Sequence, residues 1–221
     1  MVTCIATLRL SRVLLLPFLL SMLAVLSGCG IHKPFELFDD KTTIKSGSVA
    51  VISSDSSEPT MRLAEYLTQH LKERSTFKVI SQEEVKRRVG KYPVTIKEAD
   101  AENGSKPVWF AKGEKSKVDA MQAQIKADYL FVVWTGNLRR ITTTSSQGGG
   151  SVSYSIFVNG NVVEYPKARI IGYSNFAGSK GQSCCLFGKS EGDDINEMLK
   201  ESAGEMADKF ISAAKAEKPG K

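Results

Sequence analysis

Histidine is almost missing from this 221-residue sequence, which holds only His32 and His70. Neither a zinc site of clustered imidazoles nor a convincing Ser-His-Asp arrangement is offered. His32 stands in a polar stretch, and His70 falls between the helical apolar positions Leu67 and Leu71, where it reads as a surface or boundary residue. Cysteine is scarce too. Of four copies, Cys4 and Cys29 lie within the first thirty residues, leaving only Cys184 and Cys185. That is no disulfide scaffold. A phosphate-binding loop is also lacking, because Gly188-Lys189-Ser190 has Ser183 where the motif needs its first glycine. Without that glycine the backbone is less free to curl its amides around phosphate.

What is present begins with the first thirty residues. Met1–Arg12 carries Arg9 and Arg12 and no acid, and Val13–Leu26 is then apolar apart from Pro17 and Ser21. The run ends in Ser27 and Gly28 before Cys29. A basic start, a short apolar stretch and a small-residue processing site describe a secretory signal over residues 1–28, too short for a comfortable membrane span. The tetrad Leu26-Ser27-Gly28-Cys29 resembles the lipobox of bacterial lipoproteins. The resemblance implies a diacylglyceryl group on the Cys29 thiol, cleavage before it, and acylation, such as palmitoylation, of the new amine. Several acyl chains at roughly 0.8 kcal/mol per methylene would hold the protein on a membrane, with its domain facing the periplasm. Gly30 follows where Asp would retain an enterobacterial lipoprotein at the inner membrane, so the outer membrane is expected. A plain signal peptide cut nearby and an uncleaved anchor are the alternatives.

Removing residues 1–28 takes away two of 30 cations and none of 24 acids, so 28 cations face 24 acids and the remainder carries +4. Mild basicity offers no case for a nucleic-acid partner. The remaining length suits one domain and a tether. Residues 29–45 read as the lipidated tether, in which Phe35, Leu37 and Phe38 could dock locally, and 46–217 as an α/β periplasmic domain. Ser48–Ser53 reads as a buried strand. Pro59 opens a helix with Leu63, Ala64, Leu67 and Leu71 on one face, and Phe77–Ile80 is a second strand. Ser81-Gln-Glu-Glu84 forms a capping box for a short helix bearing Val85 and Val89. Lysine, Pro93, Pro107 and Asn103-Gly104 mark 91–117 as a solvent-facing insertion. A helix through Val118, Met121 and Ile125 then leads into the apolar strand Tyr129–Trp134. Strands are expected at Leu138–Thr144, Val152–Val158, Val162–Tyr165 and Ile170–Phe176, with Asn159-Gly160 as a hairpin turn. A last helix runs from about Asp194 to Lys215, capped by Asp194 and Glu197.

The predicted fold class is therefore α/β, a three-layer domain with one mixed β-sheet flanked by helices in βαβα-α-ββββ-α order. That order, with Gly47–Ser53, the helix after Pro59, Phe77–Ile80 and above all Ile125-Lys-Ala-Asp128-Tyr-Leu-Phe-Val-Val, resembles the domain of the TolB amino-terminal region and the curli-secretion lipoprotein CsgG. No functional residue transfers with the resemblance. Cys184 and Cys185 remain open to several uses: an apolar plug with Leu186 and Phe187, an intermolecular or partner-facing contact, or redox or metal chemistry. Thr142–Ser151 and the cations beside Trp109 and Phe110 are solvated loops or contact surfaces. The expected function is a lipid-anchored, non-enzymatic envelope protein that binds a partner protein or assembly, without a cofactor. A CsgG-like secretion pore and a thiol-dependent enzyme are the competing expectations.

Overall fold

A computed structural model describes residues 33–39, 42–97, 110–111, 113–136, 138–144, 150–166, 169–183 and 191–215, all within the unit His32–Lys221. Its centre is set by two apolar runs. Strands β2 (Ser48–Ser53) and β4 (Tyr129–Thr135) are parallel neighbours, and every residue from Val49 to Ser53 and from Tyr129 to Trp134 is buried. A strand covered on both faces can be apolar at every position, which is why neither run alternates. The two-residue β3 (Lys78–Val79) adds in parallel beyond β2. On the other side, β6 (Gly150–Glu164) and β7 (Arg169–Ser183) continue antiparallel, and β1 (Lys33–Leu37) closes that edge. The order is β1-β7-β6-β4-β2-β3, with β5 (Arg139–Thr144) paired to β6 outside this path, giving one mixed seven-stranded sheet.

Four helices cover the two faces and make the expected three layers. Helices α1 (Glu58–Arg74) and α4 (Glu191–Lys215) pack on one face through Leu63, Leu67, Leu71, Met198, Leu199, Met206 and Phe210. Phe210 is the hub, its ring 4.8 Å from Phe131, 5.2 Å from Phe77 and 5.6 Å from Phe35. Helices α2 (Gln82–Arg88) and α3 (Lys115–Ile125) cover the other face through Val85, Val118, Met121 and Ile125. Local chemistry agrees with the helix starts. Pro59 lies in the first turn of α1, and Ser81 Oγ accepts the Glu84 amide at 3.3 Å as one half of the expected capping box. Lys126 ends α3 in the left-handed conformation at φ 56°, turning the chain into β4. Asp128 then locks the strand openings together: its carboxylate accepts the Ser48 amide and hydroxyl, both at 2.7 Å.

Four expectations need correction. Residues 33–37 are not tether but an edge strand, because Phe35 finds an apolar socket against Phe131 and Phe210. Asn159-Gly160 makes no turn. β6 runs straight through it, and Gly160 serves helix packing instead, since a Cβ there would lie 2.8 Å from Met206 Cε. Within the 91–117 stretch, Ile96 and Phe110 are buried, and Tyr92 and Val94 pack beside them on the second core. Apolar side chains with room to bury do so even inside a lysine-rich segment. Finally α4 starts at Glu191, so Asp194 and Glu197 lie inside the helix, where carboxylates near the amino end suit the positive pole of its dipole.

Candidate functional site

Open α/β sheets bind ligands outside the carboxyl ends of parallel strands, where the strand order reverses. Here β2 lies between β3 and β4, so that point falls where β2 and β4 end. The sequence fills it with small polar residues: Ser53 and Ser54 close β2, Thr135 closes β4, and Ser57 and Thr60 start α1. These groups bond one another. Thr60 Oγ1 is 2.7 Å from Thr135 Oγ1 and accepts from the Ser57 hydroxyl at 2.8 Å, while Asp55 accepts the Ser57 amide at 2.7 Å.

A strap over residues 92–97 covers the network. The Ser53 amide donates to the Tyr92 hydroxyl at 2.7 Å, the Ile96 amide to Ser54 O at 2.7 Å, and Trp134 Nε1 to Ile96 O at 3.4 Å. Burial pushes the Tyr92 phenol up to about 12, so it stays protonated and donates weakly, at 3.4 Å, to Gln82 Oε1. Buried Gln82 is itself held, its amide donating to Val51 O at 2.9 Å and Thr68 Oγ1 at 2.7 Å. The hydroxyls at the switch point are therefore structural partners of each other, joining strand ends, helix start and strap.

Two open grooves lie elsewhere. One, about 460 Å³, sits at the amino ends of β2 and β3 and is lined by Gly47, Ser48, Lys78, Arg88, Lys126 and Asp128. Its carboxylate is committed to Ser48, whose two donors hold Asp128 below the usual carboxylate range. The other, about 500 Å³, runs between α1 and α4 beside His70, Arg74, Lys200, Gly204 and Asp208. His70, expected at the surface or boundary, is only 7% exposed, with Gly204 of α4 facing its ring. Its Nε2 faces Lys200 O at 3.2 Å, Nδ1 is without a partner, and burial first, then Arg74, lowers its pKa. Arg74 pairs with Asp208 at 2.8 Å across the groove.

An exposed surface lies at this same end of the sheet, past the switch point. Past Thr135, β5 and the first half of β6 continue, with Tyr154 and Ile156 buried in the α1–α4 core on one face of β6 while Ile141 (56%), Phe157 (40%) and Leu138 (38%) are exposed. The register puts Arg139, Ile141, Ser153, Ser155 and Phe157 on one face, and the Arg139 guanidinium lies 5.7 Å from the Phe157 ring centre. Arg140 is exposed on the other face. The sequence marks Thr142–Ser151 within this region as a solvated loop or contact surface, but singles out neither Ile141 nor Phe157. A signal was nevertheless present, since no acidic residue occurs from Tyr129 to Val163. Leu26, Ser27, Gly28, Cys29, Cys184 and Cys185 lie outside the described residues, as do Trp109 and the 145–149 loop. No described helix is long and apolar enough to cross a membrane.

No family model matches the chain, and no curated protein matches it. Distant likeness to solved structures is found. A PelC dodecamer from Paraburkholderia phytofirmans shares 8% identity over 75% of this chain and 88% of its own, with a TM-score of 0.36. A minor lipoprotein from Acinetobacter baumannii shares 9% identity over 77% and 91%, with a TM-score of 0.37. A lipoprotein from Neisseria meningitidis shares 9% identity over 73% and 98%, with a TM-score of 0.38. Geometry shared at these scores is loose, and the case for function rests on this chain's own residues.

Proposed function

We propose that this protein is a lipid-anchored envelope module, attached through acylated Cys29 at the periplasmic face of the outer membrane, which acts by binding a partner protein or assembly and not by catalysis. The observation that carries the reading is the Leu26-Ser27-Gly28-Cys29 tetrad closing an apolar run. The strand at Lys33–Leu37 adds to it, because only Gly30, Ile31 and His32 then separate the lipidated residue from the sheet. A module on so short a leash works at the membrane surface. Binding is favoured over catalysis because the hydroxyls at the switch point are engaged with one another and His70 stands in the α1–α4 groove instead.

The pore reading has one feature in its favour, since β6 and β7 are 15 residues each, long enough for a membrane strand. Side-chain alternation weighs against it. A lipid-facing strand surface is apolar, whereas Arg139, Ser153 and Ser155 share one face of β5 and β6, and Arg140 and Thr142 lie on the other.

The test has two parts. Intact mass of the membrane-extracted protein should show the chain starting at residue 29 with acyl additions, and Cys29→Ala should abolish them. Crosslinking in membranes should then capture a specific partner. Turnover of a substrate by the purified protein, with no partner captured, would overturn the binding reading.

A further inference from the structure

We infer that the arm made of β5 and the distal halves of β6 and β7 rests on the anionic headgroups of the bilayer that holds the Cys29 lipid. The inference rests on the lipid-anchor reading and adds to it the surface that faces the membrane. Direction comes from register. Lys33 pairs with Asn175, and β1 runs antiparallel to β7, so the amino end of β1 points toward Ser183, the end to which β7 extends. Cys29 is four residues earlier, within about 14 Å of Lys33 at full extension. From Asn175, β7 continues for eight residues to Ser183, about 27 Å of strand. The opposite end of β7, at Arg169, lies six residues away, about 20 Å, beyond the reach of that leash. The bilayer therefore lies alongside the arm near Asn175, the far end at Ser183 being out of the leash's reach as well, and the base of the sheet points away.

Chemistry agrees with that placement. From Tyr129 to Ser190 the only acid is Glu164, which is paired with Arg169 at the base of the sheet, whereas Arg139, Arg140 and Lys180 belong to the arm. Arg139 and Arg140 are exposed on β5, beside exposed Leu138, Ile141 and Phe157. Cations next to modest apolar surface suit the headgroup zone, where anionic lipid attracts the first and the acyl boundary accepts the second. The serines and threonines that spoil this surface as a membrane span are at home in that zone. The competing occupant is an acidic protein strand added to the outer edge of β5, which among the described residues pairs only with β6.

The acylated full chain, reconstituted in vesicles, tests the idea. In a Cys184→Ser/Cys185→Ser background, a nitroxide is placed at Ile141→Cys or, as a control at the base, at Lys126→Cys. In vesicles of phosphatidylcholine with phosphatidylglycerol, collisions with an aqueous nickel chelate should fall severalfold at 141 and stay high at 126. Arg139→Gln, on the face of Ile141, should raise them at 141 by weakening the docking equilibrium roughly fivefold, Arg140→Gln on the other face should do less, and added salt should act in the same direction as Arg139→Gln. Vesicle flotation and intact mass report the anchor separately. If the protein floats and is acylated but site 141 stays as exposed as 126, the arm inference is wrong and the anchor stands. If 141 becomes protected only when envelope proteins are added, the acidic strand replaces the lipid and the inference is overturned. Without acyl mass or flotation the anchor reading fails and takes the inference with it.

Discussion

Replacing Phe35 by alanine decides whether residues 33–37 belong to the folded sheet or to a tether. The ring is half-buried, 6.2 Å from Phe131 and 5.6 Å from Phe210 in an edge-on arrangement. A fully buried Phe→Ala change costs about 3–5 kcal/mol, so a half-buried ring in this cluster should cost about 2–3 kcal/mol. In a tether the same change would stay within about 0.5 kcal/mol. Gly172 supplies a second, independent handle. A Cβ there would lie 2.5 Å from Phe35 Cζ and 2.9 Å from the backbone oxygen of Glu36. The ring can swing aside but the ladder carbonyl cannot, so Gly172→Ala should cost about 1–3 kcal/mol. Because both changes act at one contact, the double variant should lose about 1 kcal/mol less than the sum. Urea unfolding followed by circular dichroism measures all three, with an unchanged m-value marking a change in stability alone. Two single variants within 0.5 kcal/mol of the parent and strictly additive would refute the edge strand. They would also lengthen the leash and remove the geometric basis for placing the arm on the membrane.

The packing of α4 on the sheet predicts a size limit at Gly160. Alanine should be tolerated because Met206 Cε can move, whereas Gly160→Leu should cost about 2–3 kcal/mol in the same urea assay. Gln82→Ala should cost about 2–3 kcal/mol by stranding Val51 O and Thr68 Oγ1 in the core, and Gln82→Glu should rescue less than half of it. His70 has a pKa lowered by burial, so the unfolded chain binds its proton more readily than the folded one. Its neutral form supports stability that is complete well above about pH 6.5 and is lost as pH falls below that value, so His70→Gln should flatten the urea midpoint between pH 7 and 5. A slope equal to that of the parent would show that other groups carry it.

Chemistry confined to neighbouring residues was legible in the sequence. The apolar runs at Val49–Ile52 and Tyr129–Trp134, the periodic faces of α1 and α4, Pro59 in a first turn and the Ser81 cap all depend on residues within a few positions of one another. The tetrad Leu26–Cys29, which resembles a lipobox, is a local pattern of the same sort. What the sequence left open depends on partners far along the chain. Phe35 looks like tether until Phe131 and Phe210 offer it a socket, and Asn159-Gly160 looks like a turn until Met206 arrives from α4. Local turn preference amounts to a kilocalorie or so, and burial of a large apolar side chain outweighs it. The direction of the arm is of the same kind. The sequence by itself determined which residues are cationic and which cysteine resembles a lipidation site, while only the pairing of Lys33 with Asn175 decided that the amino end of β1 points toward the end of the sheet that carries Arg139 and Arg140. Register is a relation between strands 142 positions apart, and nothing local encodes it.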